Sequence, residues 1–231
     1  MPTLISVIIP VYNEAATVSQ VLELVNAVDI DKEIIVVDDG SNDGTANKLG
    51  SLDYSRFSHI KVIHHSSNMG KGAAVLTGLA HASGEFVVIQ DADLEYNPQE
   101  YIPLVNYARA NNQAVVYGSR FLGGRCSMSR MQYLANRLLT FAVNFLFFAS
   151  LTDMETCFKL VKREVLADLK LKARKFEFES EVTIKLLKKG YRIKEMPVSY
   201  TRRSYPGGKK VKWSDGVYSL YTILKLRLFS L

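Results

Sequence analysis

Residues 86 to 98 read Phe86-Val87-Val88-Ile89-Gln90-Asp91-Ala92-Asp93-Leu94-Glu95-Tyr96-Asn97-Pro98. The apolar run Phe86 to Ile89 suits a strand buried on both faces, and Pro98 stops regular structure from running on. The acids therefore fall at a strand's end. Asp91 and Asp93 are one residue apart, so in extended backbone both leave the same face, and Glu95 continues the parity. Two carboxylates so close repel unless a cation lies between them, and their hard oxygens suit Mg²⁺ or Mn²⁺. Taken alone, so short a motif is more often a solvated acidic turn, and its surroundings decide.

Those surroundings alternate strand and helix signals. Ile5 to Pro10 reads as strand, and Thr17 to Val28 carries Val18, Val21, Leu22 and Val25 at helical period. Glu33 to Val37 is a buried strand, Asp43 to Leu49 a helix, Ile60 to His64 a strand and Gly72 to Ala82 a helix. This order predicts a parallel sheet flanked by helices, in which ligands bind beyond the carboxyl ends of the strands.

Four consecutive strand ends then carry suitable polar groups. After the first, Pro10 ends the strand, Tyr12 offers a face on which a base can stack, and Asn13 or Glu14 can cap the next helix. After the second, Val37-Asp38-Asp39-Gly40-Ser41 offers carboxylates that accept from base N–H or ribose hydroxyls, while Asp43 or Ser41 caps a helix. After the third, Asn68-Met69-Gly70-Lys71-Gly72 combines close backbone approach with a lysine that reaches a nucleotide, without Walker spacing. The acids Asp91 and Asp93 complete the set.

With 231 residues, 48% of them hydrophobic, the chain can bury one large core, with or without a C-terminal extension. Cys126 and Cys157 lack metal-ligand spacing and fit a reducing compartment, and Leu4 to Pro10 reads as a core strand, not a signal peptide. Residues 1 to 150 hold 10 Lys and Arg against 14 Asp and Glu, a balance of −4, and residues 151 to 231 hold 19 against 9, a balance of +10. A basic C-terminal third fits phosphate on a nucleotide, a membrane or nucleic acid, or simply a solvated surface. The most apolar segment, Leu138 to Leu151, is too short to span a bilayer and reads as a core or membrane-surface helix. Val217 to Leu231, with Lys225 and Arg227 among its apolar residues, is a second such segment, and packing on the domain is the commoner fate of both.

In the second half, Gly118-Ser119-Arg120 follows the apolar strand Ala114 to Tyr117, and Arg130 precedes the apolar helix. Thr152-Asp153-Met154-Glu155-Thr156-Cys157-Phe158-Lys159 comes next, with Cys157 a packing residue. Arg174 to Gly190 reads as an amphipathic helix with Val182, Leu186 and Leu187 inward and Lys185, Lys188 and Lys189 on a solvated face, followed by a strand over Tyr191 to Val198. The loop Arg203-Ser204-Tyr205-Pro206-Gly207-Gly208-Lys209-Lys210 is expected to order over a bound diphosphate through Arg203 and Lys209.

Together, Pro10-Val11-Tyr12-Asn13-Glu14, Val37-Asp38-Asp39-Gly40-Ser41, Asn68-Met69-Gly70-Lys71-Gly72 and Gln90-Asp91-Ala92-Asp93 resemble glycosyltransferase family 2. Gly118-Ser119-Arg120, the segment from Asp153 to Lys159 and that from Arg203 to Lys209 resemble its dolichyl-phosphate mannose synthase and polyprenyl-phosphate glycosyltransferase branch, over roughly residues 4 to 212. The resemblance implies a single GT-A domain, Rossmann-like and mostly parallel, over 1–212. Residues 1–117 would form its nucleotide-sugar half, 118–212 its acceptor half, and 213–231 an appended amphipathic helix. It implies Pro10, Tyr12, Asn13, Glu14, Val37, Asp38, Asp39, Lys71, Asp91, Ala92, Arg203 and Lys209 around the nucleotide, and Asp91, Asp93 and Glu95 on Mg²⁺ or Mn²⁺. Arg120 and Arg130 would face the acceptor phosphate, Asp153 would orient the sugar or serve as base, and Glu179 and Glu181 lie near where relatives carry an acid of the sugar pocket, or are simply helix charges. Many relatives read Cys-Gly-Phe-Lys where this chain reads Thr156-Cys157-Phe158-Lys159, which bears on acceptor or sugar.

A hydroxyl acceptor must lose a proton as it attacks, whereas a phosphate monoester, with its second pKa near ~6, is already largely a dianion. Two arginines and one candidate acid therefore favour a lipid phosphate, with in-line attack inverting the anomeric carbon. The expected partners are a nucleotide sugar, a polyprenyl phosphate and the cytoplasmic membrane face, reached peripherally or through a membrane subunit, and no nucleic acid. The alternatives are transfer to a hydroxyl of a glycan, and a non-catalytic binder of nucleotide sugar or nucleic acid.

Overall fold

The computed structural model describes residues 3–57, 59–123, 126–202 and 213–229. Its strands are β1 (Ile5–Val11), β2 (Lys32–Asp38), β3 (Ile60–His64), β4 (Phe86–Ile89), β5 (Val115–Ser119), β6 (Cys126–Ser127), β7 (Lys159–Lys162), β8 (Lys194–Pro197) and β9 (Tyr200–Thr201). Its helices are α1 (Val18–Asn26), α2 (Thr45–Gly50), α3 (Lys71–Leu79), α4 (Tyr101–Ala110), α5 (Arg130–Phe147), α6 (Arg163–Asp168), α7 (Phe178–Lys188) and α8 (Trp213–Leu228).

Seven strands form one sheet in the order β3-β2-β1-β4-β7-β5-β8. Pairing is parallel between β3, β2, β1 and β4 and again between β5 and β8. The exception is β7, which runs antiparallel to both β4 and β5 and joins the two parallel parts. Val7, Ile8, Ile9, Val36, Val88 and Val161 are buried along the centre, as expected of strands covered on both faces.

Several boundaries depart from expectation, among them that α7 starts at Phe178 and not Arg174 and β8 at Lys194 and not Tyr191. Pro10 does not end β1: pairing with β4 stops at Ile8, while pairing with β2 runs through Pro10 to Val11. The apolar helix begins eight residues early, because Ser129 and Gln132 close a capping box ahead of Arg130. It ends where Phe148 takes a left-handed backbone conformation.

A second apolar cluster joins Leu139 and Val143 of α5, Leu151, Met154, Ile184 of α7 and Ile223 of α8. Lys188 fastens α8 further, its Nζ donating to the carbonyls of Leu226 at 2.8 Å and Phe229 at 2.9 Å. The lysines of α7 are thus no plain solvated face: Lys185 is buried against Glu181 at 3.0 Å, and Lys189 pairs with Asp168. Packing is only half the fate of the apolar helices. Eighteen large apolar side chains are exposed among the described residues, and seven lie on or just after each of α5 and α8. On α5 they recur every three or four residues, at Met131, Leu134, Leu138, Phe141 and Phe145.

Candidate active site

The ends of β1 and β2 are knitted by their own polar groups. Asn13, with a positive φ of 53°, donates its backbone N–H to Ser41 Oγ at 2.9 Å and accepts from the Asn42 N–H on Oδ1. Glu14 donates its N–H to Thr45 Oγ1, and its buried carboxylate accepts from Thr17 Oγ1. Neither side chain caps α1, which starts after Thr17 without a side-chain cap; both fasten the loop. Asp43 does receive the Thr45 N–H at the start of α2. Val37 is wholly buried in the sheet and Ala92 nearly so, and Tyr12 and Pro10 are half-buried at the rim.

Asp38 and Asp39 are both buried. Asp38 accepts the Ser41 N–H and faces His64 Nδ1 at 3.0 Å. Asp39 faces His65 Nδ1 at 2.7 Å and takes the N–H groups of Met69 at 2.9 Å and Gly70 at 2.7 Å. Asp39 thereby holds the turn that launches Lys71 as the first residue of α3. Gly40, at φ +70°, sits so close to this turn that a Cβ would strike the Ser67 backbone.

After β4 the backbone leaves the extended form. Residues 92 and 93 lie in a turn, and Leu94 has a φ of 63°, so the expected shared face of Asp91, Asp93 and Glu95 does not persist. Asp93 Oδ1 accepts the Glu95 N–H at 3.1 Å, and Glu95 Oε2 accepts from the Tyr200 hydroxyl. Among the described residues no three His, Cys, Asp or Glu side chains converge as a metal cage. A dication that takes one or two carboxylates and completes its shell with phosphates and water fits Asp91 and Asp93 by the chemistry of the donors.

Lys71 Nζ stands 2.8 Å from Asp91 Oδ1 and 3.2 Å from Glu179 Oε1, the latter an ion pair without hydrogen-bond geometry. Burial disfavours its charge, but Asp91 and its other neighbours outweigh that and hold its pKa well above the ordinary lysine value. Glu179 Oε2 meets Lys159, itself almost fully buried. Cys157 packs here as expected, its Sγ 3.4 Å from the Ile89 carbonyl, and burial pushes its thiol pKa well up. Glu181 turns elsewhere, to the N–H groups of Lys172 and Ala173.

In the second half, Arg120 and Asp153 form a two-pronged pair, with both Asp153 carboxylate oxygens engaged by the guanidinium. Arg120 also borders, with Arg130, a cavity of about 420 Å³ lined by Phe121, Gly123, Cys126, Met128 and Tyr133. Reading the sequence singled out the arginines but not their apolar companions Phe121 and Tyr133. It also passed over Glu155, which accepts from Ser180 Oγ at 3.1 Å. Burial raises the Glu155 pKa to about 7 despite the opposing pull of Lys159. Arg203 and Lys209 lie outside the described residues.

A model of glycosyl transferase family 2 matches residues 6–170. The chain is 27% identical to a dolichyl-phosphate beta-glucosyltransferase of Trichomonas vaginalis, over 97% of this chain and 73% of that protein. It is 29% identical to a polyprenol monophosphomannose synthase of Mycolicibacterium smegmatis, over 85% and 77% respectively. Its fold matches that of glucosyl-3-phosphoglycerate synthase from Mycobacterium tuberculosis, solved with uridine diphosphate, at a TM-score of 0.74 and 23% identity over 99% of this chain and 82% of that one. The same synthase is also solved with uridine diphosphate and Mg²⁺, and with uridine diphosphate, Mn²⁺ and phosphoglyceric acid.

Proposed function

The chain belongs to glycosyl transferase family 2 and is a glycosyltransferase of GT-A fold, and from that premise we propose that it moves a hexose from a UDP- or GDP-sugar to a polyprenyl phosphate, inverting the anomeric carbon. The observation that carries this reading is the cavity in which Arg120 and Arg130 meet among Phe121, Met128 and Tyr133. Guanidinium forks match phosphate oxygens, and Arg120 is held in orientation by Asp153. Arg130 is also the first residue of α5, whose exposed apolar stripe leads away from the cavity as a track for a prenyl chain. The names of the relatives support a lipid phosphate of this class.

In this reading residues 1–117 hold the donor, 118–212 the acceptor, and 213–231 form an amphipathic helix that rests with α5 on the cytoplasmic membrane face. No helix among the described residues is long and apolar enough to cross a membrane. Pro10, Tyr12, Asn13, Glu14, Val37, Asp38, Lys71, Asp91 and Ala92 surround the nucleotide together with Arg203 and Lys209, and Asp39 acts behind them by shaping the turn at 68–70. Asp91 and Asp93 would hold Mg²⁺ or Mn²⁺, which neutralises charge on the leaving diphosphate. The acceptor dianion needs no base, so the chain's own task there is to orient it: Asp153 fixes Arg120, and Arg120 and Arg130 aim the phosphate oxygen.

A second reading, transfer to a glycan hydroxyl, needs a positioned base, which the segment from Asp153 to Lys159 would have to supply. Labelled UDP- and GDP-hexoses offered with dolichyl or undecaprenyl phosphate, in detergent with Mn²⁺, test the choice. A labelled lipid product lost on chelation is expected. Transfer only to a soluble glycan would favour the hydroxyl acceptor, and transfer to neither would overturn both readings.

A further inference from the structure

The acid at the end of β4 already faces a cation that belongs to the protein. Lys71 reaches Asp91 at 2.8 Å and Glu179 at 3.2 Å, and beyond Glu179 lies Lys159, which also donates to the Thr156 carbonyl. Four side chains therefore alternate in charge from the donor strand end to the start of β7. Three of them are poorly hydrated, Lys71 at 14% exposed, Glu179 at 6% and Lys159 at 1%, while Asp91, at 25%, opens toward solvent.

In such surroundings a dication arriving at Asp91 meets an ammonium already seated there, and repulsion between them is little screened. Lys71 is built to move aside. Its stem has four rotatable carbons, and a second carboxylate stands within reach of the same nitrogen. Its backbone does not have to follow, because α3 is anchored by the Ala73 N–H bonding to the Arg174 carbonyl at 2.9 Å.

We propose that Lys71 is a resident counter-ion of the donor site: its ammonium holds Asp91 while no dication is bound, then cedes that carboxylate to the dication by turning onto Glu179. This rests on the donor-site reading given above. Asp91 is then paired in both states, and the arriving ion replaces an ammonium instead of filling a repelling pair of acids. Dication binding without nucleotide is correspondingly weak, since displacement of Lys71 opposes it.

The test is Mn²⁺ affinity in the absence of nucleotide, read from the electron paramagnetic resonance signal of hydrated Mn²⁺, with thermal melting as the check on folding. Lys71→Met is expected to bind Mn²⁺ about tenfold more tightly than the wild type, because the competing charge is gone. Glu179→Gln is expected to bind it several-fold more weakly, because the ammonium loses its second seat. Loss of charge alone would also move these two variants in opposite directions, so Glu179→Asp, which keeps the charge but draws the seat out of reach of Lys71, separates the cases: weaker Mn²⁺ binding is expected from it, and unchanged binding overturns the proposal. Unchanged or weaker binding by Lys71→Met overturns the proposal. If that variant lacks a cooperative melt, Glu179→Asp decides alone, and unchanged or tighter binding overturns it. A wild type that binds no Mn²⁺ even with UDP or GDP removes the donor-site reading itself; nucleotide-dependent Mn²⁺ binding with insensitive variants removes only the role of Lys71.

Discussion

Arg120 and Asp153 are bound at both prongs, Nε to Oδ2 at 2.6 Å and Nη2 to Oδ1 at 2.7 Å, and the Arg120 backbone N–H adds a third bond to Oδ2 at 3.0 Å. Both side chains are buried, and the Asp153 N–H is itself received by Glu195 at 2.9 Å. Removing one member of such a pair strands the other, at a cost of about 3–5 kcal/mol. Asp153→Ala should therefore lower the melting temperature by on the order of 10 °C in calorimetry. Arg120→Lys keeps the charge and loses the fork, so the KM for lipid phosphate should rise about tenfold or more, with donor affinity unchanged.

Asp91→Asn combined with Asp93→Asn should abolish turnover and the metal-dependent part of nucleotide affinity. Lys71 keeps its second carboxylate, Glu179, when Asp91 loses its charge, so the fold should persist. Calorimetric titration of UDP and GDP with Mn²⁺ and with chelator checks this, and a double variant that keeps its activity would refute the assignment of these acids.

Glu155 predicts a pH dependence. Its folded-state pKa is raised to about 7 from 4.5, so the native protein keeps a proton that the unfolded chain loses first. Its contribution is thus fully present below about pH 4.5 and declines as pH rises toward 7. Glu155→Gln should flatten this part of the stability profile and stabilise the protein at pH 8 by on the order of 2 kcal/mol. Urea unfolding from pH 5 to 8 measures it, and parallel profiles for the two proteins would contradict the assignment.

Phe141→Glu with Phe145→Glu should leave melting nearly unchanged, since both side chains already face solvent. Co-sedimentation with vesicles containing anionic lipid should fall several-fold, together with activity on lipid phosphate in those vesicles. Undiminished vesicle binding would exclude α5 as the contact.

The parallel half of the sheet was legible because each strand is a run of buried aliphatic residues ended by a turn. Ile60 to His64 and Phe86 to Ile89 match β3 and β4 residue for residue. β7 was not, because Lys159-Leu160-Val161-Lys162 sets only two apolar residues between lysines and reads as partly exposed, whereas Lys159 is buried against Glu179. The strand-end loops were legible as places but not as geometry. Period-two logic aligned Asp91, Asp93 and Glu95, and the positive φ of Leu94, which no residue type announces, turns Glu95 toward Tyr200. Arg120 and Asp153 were each visible, yet their pairing spans 33 positions of chain and appears only once the tertiary structure is known. The start of α5 is legible in the capping box of Ser129 and Gln132, whereas the apolar pattern by itself places it at Leu138.

The position of β7 has a consequence for biosynthesis. β4 finds its second neighbour only in residues that follow α5, since Phe86 pairs with Lys162 and Val87 with Val161. A nascent chain that has emerged only as far as β5 therefore presents an open strand edge to whatever it meets, and it cannot close that gap until some forty further residues leave the ribosome. Cutting the gene just after β5 should yield two insoluble fragments, not two small proteins.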